Sequence, residues 1–188
     1  MIATKPKDKL CYCGRAFTPA RPLQAVCSAS CAVRKAKRDR AESAKEERAQ
    51  TRERKQALKT IPDLTKEAQF AFNGYIRLRD QLAGYPCISS GRPLDWSGNA
   101  VDAGHYRSTG AASHLRFNEN NCHAQSKHDN QYLAGNAVDY RVGLIARIGR
   151  EAVEALENDN TPHKWNREEL IGIRDEYKKK LKELKKQA

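Results

Sequence analysis

Residues 65–84 show the clearest pattern of apolar and polar positions in this chain. Apolar side chains recur there every three or four positions, at Ala68, Phe72, Tyr75, Leu78 and Leu82. This spacing predicts an amphipathic helix with one buried face, which Thr65 caps and Gly84 ends. Arg77 and Asp80 lie off the apolar stripe and are expected to point away from the core.

The second half of the chain predicts further helices and one short strand. Residues 101–107 favour a strand, and residues 131–157 favour a helix that breaks near Gly149. A last helix is expected to begin at Asn166 and to end in a lysine-rich segment. The predicted fold is therefore mainly α-helical.

Residues 33–60 form a charged segment that lacks an apolar stripe. Alanine, glutamate, lysine and arginine dominate it, and it contains neither glycine nor proline, so we predict a solvent-exposed helix. The basic residues Arg34, Lys35, Lys37 and Arg38 stand at its start. Two interpretations stay open, a solvated linker and a helix that lies along DNA phosphates.

Four of the six cysteines lie within residues 1–32, as the pairs Cys11 and Cys13, then Cys27 and Cys31. Two short pairs separated by a dozen or so residues can close a tetrahedral zinc site with four thiolates. The alternative is four free thiols in an unstructured tail, although few apolar residues nearby could bury them. We predict a structural Zn²⁺ module over residues 1–32.

The composition points to a polyanionic partner. The 188 residues include 35 basic and 23 acidic side chains, which gives a net charge of +12. Such a surplus favours nucleic acid first and an anionic membrane second. No apolar run approaches the ~20 residues that span a bilayer, and the first residues lack a signal-peptide pattern. We expect a cytoplasmic protein without a membrane partner.

Residues 102–136 concentrate the side chains that carry chemistry. This polar segment holds four of the five histidines, His105, His114, His123 and His128. Imidazole, carboxamide and carboxylate groups bind metals, activate water and hold phosphates. The segment therefore predicts a metal-dependent nuclease site.

The spacing within this segment matches an HNH, or ββα-metal, hairpin. Asn121 follows His105 by 16 positions (121 − 105), and Asn130 follows Asn121 by nine (130 − 121). We expect His105 to be the general base and Asn121 to orient its imidazole. Asp102, Asn130 and His123 are the expected ligands of Mg²⁺ or Mn²⁺, with a hydrogen bond that locks the hairpin as the alternative for His123.

Several sequence blocks carry a resemblance to a known family. They are DAGHYRSTGAASHLRFNENNCHAQ, Asn130 with Gly135-Asn136, YRVGLIARIGREAVEALE and the closing basic helix. With the cysteine-rich start, they resemble the NinG family of lambdoid phages, also called Rap recombination endonucleases. The resemblance implies a structure-selective endonuclease that acts on branched DNA, such as Holliday junctions or D-loops, during phage recombination. It also implies a divalent cation and the cytoplasm of a bacterial host.

The chain departs from this type of HNH protein at the zinc knuckles. Two Cys-x2-Cys knuckles often hold a structural zinc there, but this chain has Cys87-Ile-Ser-Ser90 and Ser126-Lys-His-Asp129. Serine hydroxyls are poor zinc ligands, so we expect hydrogen bonds among Ser90, Ser126 and Asp129 instead. A remodelled metal site stays open, with Cys87, Cys122, His128 and Asp129 as its ligands.

Two arginines and a glycine complete the expected site. Gly104 stands where many HNH enzymes place an acidic ligand, and Asp102 is the expected substitute. Arg107 and Arg116 flank the predicted hairpin and are expected to contact phosphates.

The predicted organisation is a zinc module (1–32), a basic helical linker (33–60) and an HNH-like nuclease domain (61–188). The predicted function is cleavage of branched or duplex DNA. A non-catalytic protein that binds branched DNA in recombination is the alternative, and an RNA-binding zinc protein would leave the central histidines unexplained. Symmetric cutting of a junction needs two active sites, which favours a homodimer.

Overall fold

The computed structural model describes residues 7–187, and the chain divides into two units, Met1–Lys59 and Thr60–Ala188. In the first unit, β1 (Lys9–Leu10) pairs in antiparallel fashion with β2 (Ala16–Phe17). Helix α1 (Ala29–Ala57) follows, and Cys31 is its only residue found buried. The boundary predicted after residue 32 therefore lies inside α1, because Cys31, the last of the four cysteines, lies in the first turn of that helix.

The second unit combines four helices with one hairpin. Its elements are α2 (Ile61–Leu82), β3 (Val101–His105), β4 (Cys122–Ser126), α3 (Ala137–Ile148), α4 (Arg150–Asn158) and α5 (Arg167–Leu184). Short 3₁₀ turns lie at Ser113–Leu115 and Glu119–Asn121, and a π-helical turn spans His128–Tyr132. The mainly helical class predicted from the sequence is confirmed.

The helix boundaries follow local capping chemistry. Thr60, and not Thr65, caps α2, because Thr60 and Asp63 form a reciprocal capping box. Asn166 caps α5 as predicted, through the same motif with Glu169. The predicted break at Gly149 is also confirmed, since its φ of +86° separates α3 from α4.

The predicted helix over residues 131–157 begins later than the apolar spacing indicates. Ala134, Gly135 and Asn136 all have positive φ, which ends the π-helical turn before α3 begins. Asn130 consequently lies in this turn and not in a continuous α-helix.

Two apolar cores flank the β3–β4 hairpin. The first joins α2 and α5 to the hairpin through Phe72, Tyr177 and Cys122. Glu67 contacts Arg174 and Gly74 faces Leu181, so α2 and α5 run in the same direction. The second core contains the following buried residues: Ile88, Ala112, Leu115, Tyr140, Leu144, Val153 and Leu156.

Within residues 7–187, no helix combines the length and apolar character that a bilayer crossing requires.

Candidate functional site

Asp102 and Asn130 meet at the start of the hairpin. Asn130 Nδ2 donates a hydrogen bond to Asp102 Oδ2 over 2.9 Å, and Gln131 Nε2 donates to the same oxygen over 2.8 Å. The antiparallel register explains this meeting, because β4 ends beside the start of β3 and leads directly into the π-helical turn. The structure thus joins two of the predicted metal ligands.

A cleft of about 350 Å³ opens beside this pair, and we call it the Asp102 cleft. Its walls are Phe70, Asn73 and Arg77 of α2, together with Asp102, Ala103 and Asn130. Arg77 is half-buried, and its guanidinium has no hydrogen bond or ion pair with any residue in the described range. The cleft therefore offers one carboxylate, two carboxamides and one unpaired guanidinium.

His105 is held at the opposite end of β3. Its Nε2 lies 2.9 Å from the carbonyl oxygen of Arg116, and its Nδ1 lies 3.7 Å from Cys122 Sγ. Since a carbonyl only accepts, Nε2 carries the proton and Nδ1 keeps a lone pair. Burial lowers the pKa of His105, which leaves the imidazole neutral at physiological pH.

The structure does not bring His105 into the Asp102 cleft. Three positions separate it from Asp102 on one strand, so their side chains start on opposite faces, roughly 10 Å apart along the backbone. The His105 ring instead packs 6.1 Å from the Phe72 ring in the first core.

Asn121 is fully buried and braces the connection between the two strands. Its Oδ1 accepts a hydrogen bond from the Arg107 amide over 2.9 Å, and its Nδ2 donates to the carbonyls of Arg107 and Leu115. The expected contact with the His105 imidazole is not formed, because the carboxamide is satisfied by backbone groups. Asn121 thus positions the loop that follows His105.

His123 lies in a buried charged network away from Asp102 and Asn130. Arg79 Nη2 lies 3.0 Å from its Nδ1, and its Nε2 lies 3.3 Å from the Asn120 carbonyl oxygen. Both ring nitrogens therefore face protein groups. The expected role as a metal ligand does not fit this geometry, whereas the alternative of a locking hydrogen bond does.

Asp80 forms the centre of the same network and is fully buried, contrary to the expectation that it points away from the core. It contacts Arg79 over 2.7 Å and Arg147 over 3.5 Å, and it accepts a hydrogen bond from the Ala124 amide. Burial by itself raises the pKa of Asp80, but the neighbouring His123 ring and the Arg79 guanidinium outweigh it and hold the pKa at about 2.

Gly104 explains why no acidic ligand precedes His105. A Cβ atom at this position would lie 2.0 Å from Gln125 Oε1. The Gln125 side chain is fully buried and fixed by hydrogen bonds of 2.7 Å to Ser89 Oγ and to the Gly135 carbonyl. A carboxylate at position 104 would therefore require Gln125 to leave its site.

The four knuckle positions converge around one carboxylate, which we call the Asp129 cluster. Asp129 Oδ2 accepts hydrogen bonds from Ser126 Oγ at 2.6 Å, Ser90 Oγ at 3.0 Å and Cys87 Sγ at 3.3 Å. These contacts include the hydrogen bonds expected among Ser90, Ser126 and Asp129. Cys122, the other thiol considered for a remodelled site, lies instead beside His105.

The two arginines expected to contact phosphates are engaged within the protein. The Arg107 guanidinium donates to the carbonyl of Leu156 over 2.8 Å and to Asn160 Oδ1 over 2.8 Å, at the end of α4. Arg116 donates to Gln69 Oε1 over 3.2 Å and to the Thr109 carbonyl. The Arg107 side chain thus caps the C-terminal end of α4. Residue spacing does not predict this contact, because it joins distant parts of the sequence.

The four N-terminal cysteines form a compact cluster, with all four sulfurs within 4.8 Å of one another. The Sγ atoms of Cys13 and Cys27 are 3.7 Å apart, and those of Cys27 and Cys31 are 3.6 Å apart. A tetrahedral Zn²⁺ with Zn–S bonds of about 2.3 Å sets its sulfurs about 3.8 Å apart. The cluster could therefore hold a metal such as zinc.

The basic residues at the start of α1 differ in their surroundings. Arg34 contacts Cys31 Sγ over 3.6 Å, Lys35 pairs with Asp39 over 2.6 Å, and Arg38 lies over the Tyr12 ring. Lys37 is exposed. All four belong to the first unit, and they lie within three turns of the cysteine cluster.

Comparisons with known proteins place the chain in a family. A family model described as "Bacteriophage Lambda NinG protein" matches residues 3–187. The chain is 48% identical over 134 residues to "Protein ninG" of Escherichia phage lambda, an alignment that covers 70% of this chain and 62% of that protein. "Protein ninG" of Salmonella phage P22 is also 48% identical over 134 residues, which cover 70% of this chain and 63% of that protein.

The matched part of the chain thus spans less than two thirds of the length of these relatives. No solved structure matches the chain. The family match extends over almost every residue, from the cysteine cluster to the end of α5. The chain therefore belongs to the NinG family of bacteriophage proteins.

Proposed function

We propose that this protein is a metal-dependent DNA endonuclease of HNH type that acts on branched intermediates of phage recombination. The observation that carries the proposal is the meeting of Asp102 and Asn130, which are 28 positions apart in sequence, on the wall of a cleft with an unpaired arginine. The net charge of +12 supports a nucleic-acid substrate.

The donor set of the Asp102 cleft fits Mg²⁺ or Mn²⁺. These hard cations take carboxylate and carboxamide oxygens, and proteins commonly hold Mg²⁺ by one or two carboxylates together with waters and substrate phosphates. Asp102 and Asn130 would hold the ion, which would supply positive charge for the leaving oxygen. Arg77 would bind a phosphate of the substrate beside it.

His105 is the proposed general base. Its neutral imidazole keeps a lone pair at Nδ1, which faces the Cys122 thiol, while the Arg116 carbonyl fixes the tautomer through Nε2. Asn121 holds the loop that supplies Arg116, because it binds the backbone at Arg107 and Leu115. For His105 to act as the base, the proton that it removes must reach Nδ1 from the side of β3 that faces the Asp102 cleft.

The first unit is proposed to bind duplex arms of the DNA. Zn²⁺ at the four cysteines would fix the start of α1, whose exposed basic side chains are suited to phosphate contacts. Lys37 is the least engaged of the four predicted contacts, so it is the first candidate within that helix.

A non-catalytic protein that binds branched DNA is the second candidate function. It is favoured by His105, whose ring is half-buried against Phe72 and lies outside the lining of the Asp102 cleft. In that case the hairpin would serve as a scaffold for the cleft and would cut no phosphodiester bond.

One assay separates the two functions. Purified full-length protein is incubated with a labelled four-way junction and a matched linear duplex, in Mg²⁺, Mn²⁺ or EDTA, beside His105→Ala and Asp102→Asn. The endonuclease proposal expects junction cleavage that EDTA abolishes and that both variants lower by roughly 100-fold or more. Binding of the junction in EDTA should persist in both variants.

The result of this assay distinguishes an endonuclease from a protein that only binds DNA. Junction binding without cleavage under any metal would establish the non-catalytic alternative. Cleavage by His105→Ala at the wild-type rate would remove His105 as the base while leaving the metal site intact. Light scattering of the free and junction-bound protein tests the proposed homodimer in the same samples.

A further inference from the structure

Phe70 is an exposed aromatic residue at the mouth of the candidate site. Its side chain is 79% exposed, although Phe72 on the same helix is completely buried. Both stand on α2, but Phe70 belongs to the face that lines the Asp102 cleft, along with Asn73 and Arg77. A large apolar ring left in solvent at this position is suited to contact a ligand.

A second cleft continues from the first. It has a volume of about 360 Å³ and shares Phe70 and Arg77 with the Asp102 cleft. Its other walls include Trp96 and Lys185. Because Phe70 and Arg77 line both clefts, the two clefts are adjacent, and we call them together the channel. Trp96 gives the channel a second aromatic ring.

The charges along this channel suit a DNA backbone. The Arg77 guanidinium has no partner among residues 7–187, and Lys185 directly follows α5 in the lysine-rich segment. Asp95 is an acidic residue of the second cleft. Its Oδ1 already accepts two hydrogen bonds from Ser97, one from the amide at 2.9 Å and one from the hydroxyl at 2.6 Å. Cations that alternate with aromatic rings are typical of sites for unpaired nucleic-acid strands.

We propose that this channel binds an unpaired DNA strand, with Phe70 stacking on a base and Arg77 contacting the adjoining phosphate. In duplex DNA the bases stack on each other and present no free face, so only unpaired nucleotides can use Phe70 in this way. The inference rests on the proposed function. It assigns the substrate as branched DNA that carries unpaired nucleotides at the branch, next to Asp102 and Asn130.

The test measures binding in EDTA, where no cleavage occurs. Full-length protein is titrated into a thymidine oligonucleotide that contains one 2-aminopurine, and separately into a duplex of equal length. The variants are Phe70→Ala, Phe70→Trp and Arg77→Ala. Tyr132→Ala is the matched control, because Tyr132 is 76% exposed and lines neither cleft.

We expect Phe70→Ala to weaken single-strand binding by roughly 5- to 150-fold and to remove the quenching of 2-aminopurine, as loss of one stacked base predicts. Phe70→Trp should keep both signals. Arg77→Ala should weaken binding with quenching retained at saturation. Duplex affinity should stay within about twofold of wild type in all variants, because duplex arms bind elsewhere.

Equal single-strand affinity in Phe70→Ala and wild type would overturn the inference, and so would an equal loss in Tyr132→Ala. A changed molecular mass of Phe70→Ala in solution would show that Phe70 covers a protein surface, which also overturns it. If the stacking results hold and no metal supports cleavage, only the endonuclease proposal fails. If junctions are cut and Phe70→Ala binds and cuts normally, only the channel fails.

Discussion

Cys87 and Asp129, which are 42 positions apart in sequence, meet with 3.3 Å between the thiol sulfur and a carboxylate oxygen. The same oxygen accepts hydrogen bonds from two serines, so one carboxylate joins the segment before β3 to the turn after β4. The Asp129 cluster therefore holds the hairpin between its flanking segments by hydrogen bonds.

Replacing Asp129 should destabilise the second unit. We expect Asp129→Ala to lower the free energy of unfolding by about 2–3 kcal/mol, because hydrogen bonds to a charged acceptor contribute about 1.5–3 kcal/mol and their donors would be left unpaired. Urea denaturation followed by tryptophan fluorescence measures the change. Glu151→Ala, at an exposed position of α4, is the control and should change stability by less than about 0.5 kcal/mol. A loss no larger than that of the control would contradict the role of the cluster.

Arg107→Ala should affect stability and leave DNA affinity unchanged. The guanidinium contacts carbonyls at the C-terminal end of α4, where a cation also suits the helix dipole. Its loss should cost about 1–3 kcal/mol of unfolding free energy. Denaturation and junction binding are measured together, with the exposed Arg150→Ala as the control. A loss of affinity with normal stability would restore the phosphate contact expected from the sequence.

Acid should weaken the fold through Asp80. Its pKa is about 2 in the folded protein, against 3.8 for an aspartate side chain that is free in water. A lowered folded pKa contributes stability above the unfolded pKa, and this contribution is lost as the pH falls from about 4 to about 2. The loss amounts to about 2 kcal/mol. Denaturation midpoints between pH 5 and 2 should fall more steeply in wild type than in Asp80→Asn, and parallel slopes would contradict the prediction.

The N-terminal unit should contain about one zinc per chain, as expected for four thiolates. Cys27→Ser should lose that zinc, since Cys27 Sγ lies between those of Cys13 and Cys31. Cys122→Ser, which changes a buried thiol of the other unit, should keep it. Metal analysis by mass spectrometry after gel filtration measures both variants. Equal zinc contents in the two variants would refute the assignment.

The sequence predicts those features of this fold that depend on neighbours in the chain. The apolar spacing of α2 and the capping box of Asn166 are local, and both are found in the structure. Asp80 lies off the apolar stripe and is nevertheless buried, because Arg147 and the Ala124 amide reach it from remote elements. No local pattern contains those contacts.

The sequence likewise predicts some residues of the candidate site and not others. Asp102 and Asn130 were expected together from the order of a hairpin motif, and the strand register brings them together. Arg77 and Phe70 were missed because their importance depends on which face of α2 borders the hairpin. The available signal was their position outside the apolar stripe, which by itself indicates only solvent exposure.

The overlap between a side chain at position 104 and Gln125 has a consequence for metal affinity. Because position 104 cannot hold an acidic side chain, Asp102 is the only carboxylate that lines its cleft within the described residues. A cation held by one carboxylate and one carboxamide keeps most of its coordination positions for water and phosphate oxygens. On the proposed function, DNA itself would complete the coordination sphere, so the cation and the substrate would each bind more tightly in the presence of the other.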